Sequence, residues 1–135
     1  MMADNLVILS SNDISRDEFN LFVKNIGGML KPDGIKDAQI SRGWNHLWLF
    51  FCPQTLIEVI EDIGEKLASK LGDTPKTCIV LELSQTGGTE KLALEFAIAF
   101  AERWHSVLGD AHDRLLTLED MRRALKTGER LGVSD

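Results

Sequence analysis

A chain of 135 residues with 44% hydrophobic content is the size of one ordinary domain and can bury a sizeable core. Its 15 Lys and Arg stand against 21 Asp and Glu, a formal net charge of -6. That balance repels a nucleic acid unless basic residues cluster, and no such cluster is evident. A basic protein is the better electrostatic partner.

The opening segment, MMADNLVILSSND, has no basic start and only a four-residue apolar run. It reads as neither a signal peptide nor a membrane span, so a cytoplasmic location without a membrane partner is expected. LVIL at 6–9 fits a strand covered on both faces. Ser15-Arg-Asp-Glu18 is a capping box, in which hydroxyl and carboxylate each satisfy a backbone N–H at a helix start, with Ile14 and Phe19 at the staple positions. Phe19, Phe22, Val23 and Ile26 follow at helical spacing, and Gly27-Gly28 ends the helix, predicted over 14–28.

KPDG at 31–34 is turn chemistry. A strand near 36–42, a reversal at Gly43, Trp44 and Asn45, and a strand over 46–52 then read as a hairpin, although one long bent strand fits as well. In GWNHLWLFF, residues 43–51, alternation puts Trp44, His46, Trp48 and Phe50 on one strand face and Leu47, Leu49 and Phe51 on the other. Both faces are apolar, which marks a central strand whose Trp44 end is the part expected to reach the surface.

Pro53 opens a second amphipathic helix, predicted over 54–71 and capped by Gly72. Leu56, Ile60, Ile63, Leu67 and Leu71 form its apolar stripe. Opposite them gather Glu58, Glu61, Asp62 and Glu65, four acids within eight residues. Like charges three or four positions apart cost a few tenths of a kcal/mol per pair, which a basic partner would relieve. CIVLEL at 78–83 is a further strand. The helix from about 89 to 104 carries one charge in LALEFAIAFA, so most of its circumference has to be covered, and the second face of the aromatic strand is its expected seat. A short strand, an acidic turn, another short strand and a helix capped by Thr117-Leu-Glu-Asp120 complete a single domain, with 126–135 a frayed tail.

Strand, helix, strand, strand, helix, strand is the βαββαβ order of ferredoxin-like folds, here with two additional C-terminal helices. The expected class is therefore α+β, with a mainly parallel three-layer α/β sheet as the alternative. In the ferredoxin-like arrangement Cys52 and Cys78 fall at opposite ends of strands running the same way. They are then two reduced thiols, too distant for the roughly 6 Å Cα separation of a disulfide.

Signals for chemistry are weak. His105, Asp110, His112 and Asp113 match no zinc spacing, and TGGT at 86–89 has neither dinucleotide-binding nor P-loop form. Ser84, Ser106 and the cysteines lack a recognisable base arrangement. No enzyme activity, metal or cofactor is expected. The residues left for partner binding are Glu58, Glu61, Asp62, Glu65, Trp44 and His46.

The segment AFAERWHSVLGDAHDRLLTLEDMRRAL, 99–125, resembles small immunity proteins encoded beside bacterial polymorphic or contact-dependent toxins. There a largely apolar helix ends in Trp, a short strand and acidic turn follow, and a Leu-Thr-Leu-Glu type helix start comes next. The resemblance implies a non-enzymatic protein that neutralises one cognate toxin by direct binding. It supplies no binding residues, and the acidic balance suits a basic, nuclease-like toxin. A regulatory or ligand-binding ferredoxin-like domain that dimerises through its sheet is the alternative, which leaves a homo-oligomer open.

Overall fold

The computed structural model describes residues 5–30, 37–52, 54–84, 88–110 and 114–128. The KPDG turn, Pro53, the first half of TGGT, His112, Asp113 and most of the C-terminal tail lie outside them. In chain order the elements are β1 (Asn5–Ser10), α1 (Arg16–Asn25), β2 (Met29–Leu30), β3 (Ala38–Arg42), β4 (Asn45–Phe51), α2 (Thr55–Leu71), β5 (Thr77–Leu83), α3 (Thr89–Arg103), β6 (Ser106–Gly109), β7 (Leu115–Leu116) and α4 (Leu118–Thr127).

The class is α+β. The seven strands form one sheet in the order β2-β3-β4-β5-β1-β6-β7, and every pairing among the described residues is antiparallel. This departs from the ferredoxin-like expectation and from its mainly parallel alternative. β5 inserts between β1 and β4, pairing Val80 with both Val7 and Phe50. A split βαβ instead places β1 between β4 and β5, antiparallel to both. Long-range pairing decided the order, and no local pattern encodes it.

Local signals were accurate. Ser15 Oγ accepts from the Glu18 N–H while the Glu18 carboxylate accepts from the Ser15 N–H, so α1 starts on a closed capping box. Thr117 and Asp120 do the same for α4. Gly72 ends α2 in the left-handed conformation at φ 82°.

Strand alternation divides the core in two. Leu6, Ile8, Ile40, Leu47, Leu49, Ile79, Leu81 and Leu108 point to one face, where α1, α3 and α4 cover them. α3 lies between its neighbours. Phe22 of α1 meets Phe96, Phe100 and Trp104 at ring separations of 5.9, 5.7 and 5.2 Å, and Met121 and Ala124 of α4 are buried in the same cluster. That enclosure explains the single charge in the LALEFAIAFA stretch of α3.

The second face carries Leu9, Cys78, Val107 and Leu115, covered by Leu67 and Leu71 of α2 with Leu56, Val59 and Ile63 packed around them. This cluster takes no residue from β3 or β4. α3 therefore does not cover the aromatic face of β4 as expected, because it packs on the Leu47 and Leu49 side. Trp48 and Phe50 stay half-buried, on the part of the sheet that α2 leaves open.

Candidate functional site

α2 is built in two unequal halves. Ile63 has non-helical angles (φ -133°, ψ 27°), so the helix breaks there. After the break Leu67 and Leu71 are fully buried, and His105 Nε2 lies 2.6 Å from the Leu71 carbonyl oxygen. Before it no side chain is fully buried, while Ile57 and Ile60 are 64% and 40% exposed. Val59 takes the inward position that the sequence pattern assigned to Ile60. The first half thus rests lightly on the sheet and turns two isoleucines outward.

Glu58, Glu61, Asp62 and Glu65 are all exposed, and among the described residues none of the four has an ion-pair partner. The surface is thus mixed: acids placed for basic side chains, beside apolar groups that gain by losing water. Ile57 and Ile60 are the site residues that periodicity did not find. The available signal was Ile57 itself, an isoleucine directly before Glu58 that fits no inward stripe.

Asp62 also borders a shallow cleft of about 120 Å³ lined by Val7, Leu9, Val59, Ile63, Gly109, Asp110 and Leu115. The Asp110 carboxylate at its edge is fully buried and accepts from Arg114 Nε at 2.5 Å and from the Arg114 N–H at 2.9 Å. Asp110 therefore shapes the β6–β7 turn. Among the described residues no group of three His, Cys, Asp or Glu is arranged to hold a metal ion, and no helix is long and apolar enough to cross a membrane.

Trp44 and His46 stand elsewhere. Trp44 is 86% exposed at the tip of the β3–β4 hairpin, beside Gly43 at φ 62°. His46 is half-buried on the open sheet face, with Nδ1 2.8 Å from Ser41 Oγ and its ring stacked on Trp48 at 6.0 Å. The acids lie on α2, which sits over β5, β1 and β6, so the six residues form two groups: the acidic half-helix and the aromatic hairpin.

A scan against protein-family models found no match to this chain, and searches of curated proteins and of solved structures found none either.

Proposed function

We propose that this chain is a non-enzymatic binding protein of the immunity type, which neutralises a basic toxin by docking it on the first half of α2. The observation that carries this reading is the pairing of exposed Ile57 and Ile60 with Glu58, Glu61 and Asp62, which have no ion-pair partner among the described residues, on a half-helix that the core barely holds. Desolvated apolar contacts would supply affinity there, and the acids would supply steering and register. The resemblance of 99–125 to immunity proteins agrees in kind.

Titration calorimetry against the product of the adjacent reading frame tests it. The triple variant Glu58→Lys, Asp62→Lys, Glu65→Lys should unfold near the wild-type temperature, because exposed charge changes usually shift stability by less than about 0.5 kcal/mol each. Its binding should weaken by about 2 to 5 kcal/mol, the usual cost of losing a desolvated charge pair. Unchanged affinity in the triple variant removes α2 from the interface.

A second reading, a ferredoxin-like regulatory or ligand-binding domain that dimerises through its sheet, draws on a different observation. β2 pairs only with Ala38 and Gln39, so β3 continues to Arg42 past the end of its outer neighbour, beside the half-open Trp48 and Phe50. Its ferredoxin-like part loses support from the strand order. Sedimentation equilibrium separates the two readings: a dimer that Ile40→Pro abolishes favours the second.

A further inference from the structure

The two cysteines, far apart in the ferredoxin-like arrangement, are neighbours here. β4 and β5 pair Phe51 with Ile79, and the next step of that register sets Cys52 opposite Cys78, with the Cys52 N–H donating to the Cys78 carbonyl at 3.0 Å. Both are free thiols. Alternation sends both side chains to the α2 face, where Cys78 is buried against Leu67 and Leu71 and Cys52 is half-buried at the margin.

We infer that Cys52 and Cys78 form a reversible oxidation site, closing into a cross-strand disulfide when hydrogen peroxide reaches Cys52. The balance is simple. Cys52 sulfur attacks the peroxide, taking one oxygen and releasing water to leave a sulfenic acid; Cys78 sulfur then displaces that oxygen as a second water, so two thiols and one peroxide give one disulfide and two waters.

Geometry favours closure and makes it strained. Directly opposed residues in a hydrogen-bonded antiparallel pair have Cα atoms about 5.5 Å apart, inside the disulfide range. Their Cβ atoms stand roughly 5 Å apart where a disulfide wants about 4 Å. Cys52 can yield the difference, because its carbonyl already accepts from the Thr55 N–H at 3.2 Å and the chain is turning out of the sheet toward α2. A strained disulfide is easily reduced, which suits a reversible modification. Burial raises both thiols, Cys78 to about 12, while a hydrogen bond with the Thr55 side chain partly offsets this at Cys52. Oxidation should therefore be slow at neutral pH and faster as pH rises, starting at the accessible Cys52.

The bond would close a covalent loop containing all of α2. The test is hydrogen peroxide treatment of the folded full-length chain, followed by alkylation after denaturation and mass analysis. The expected product has lost two hydrogen atoms, yields one peptide linking Cys52 to Cys78, returns to the starting mass with dithiothreitol, and unfolds at higher temperature than the reduced chain. In Cys78→Ala the reaction should stop at Cys52 sulfenic acid, trapped by dimedone. Sulfinic acid at Cys52 with Cys78 still alkylatable, disulfide only between chains, or two intact thiols would each overturn the inference.

Discussion

Trp48 Nε1 donates to Gln39 Oε1 at 3.1 Å, across the β3–β4 register that pairs these two residues. Gln39 thus orients a half-buried indole on the part of the second sheet face that no helix among the described residues covers. The three tryptophans stand in three environments: Trp44 86% exposed, Trp48 half-buried and Trp104 7% exposed against Phe22 and Phe100. Their alanine variants should destabilise in that order, by about 0 to 0.5, 1 to 2 and 3 to 5 kcal/mol in urea unfolding. A Trp48→Ala cost equal to that of Trp104→Ala would mean that the open face is closed in solution.

Two adjacent glycines separate two kinds of backbone demand. Gly27 holds φ 89° with open space around an added Cβ, whereas a Cβ on Gly28 would lie 2.5 Å from Val23 Cγ1 and 3.1 Å from Ile40 Cγ1. Val23 is fully buried and has nowhere to move. Gly27→Ala should cost about 1 kcal/mol through strain alone. Gly28→Ala should cost more, about 1 to 3 kcal/mol from overpacking, and Val23→Ala should relieve part of it in the double variant.

Acid should loosen both capping boxes. Backbone hydrogen bonds at Ser15 and Thr117 hold the Glu18 and Asp120 carboxyls below their ordinary values. A carboxyl lowered on folding adds stability that is complete above its unfolded pKa and disappears as pH falls through the folded one. The window therefore lies below about pH 4.5, where unperturbed carboxylates begin to protonate. Over that range a Glu18→Gln, Asp120→Asn double variant should lose less stability than wild type. At neutral pH Thr117→Ala should cost about 1 kcal/mol, the usual value of a side-chain cap.

Hydrogen exchange should divide α2 at Ile63. Only the second half buries side chains fully, at Leu67 and Leu71, so amides of 65–71 should be protected well beyond those of 57–62. Equal protection of the two halves would contradict the light seating of the first.

Helix positions were legible because caps and periodicity are local: Ser15 with Glu18, Gly72, and Thr117 with Asp120 each act within a few residues. Strand order was not, because β5 pairs with β1 and β4 across long separations in the chain, which no local pattern marks. The two-residue β2 was too short to show a period at all. The acids of α2 were legible as a stripe, but the exposure of Ile60 was not. It accompanies the break at Ile63, before which Val59 packs inward in its place.

The same break divides the freedom of the sequence to vary. Before it, the side chains at 57, 58, 60 and 61 are exposed and contribute little to folding, so substitutions there leave the fold intact. After it, Leu67 and Leu71 belong to the core and cannot drift without a cost of about 2 to 5 kcal/mol when cut to alanine. One helix therefore holds a segment open to substitution next to a segment fixed by the fold, and the docking proposed for the first could change its specificity without rewriting the second.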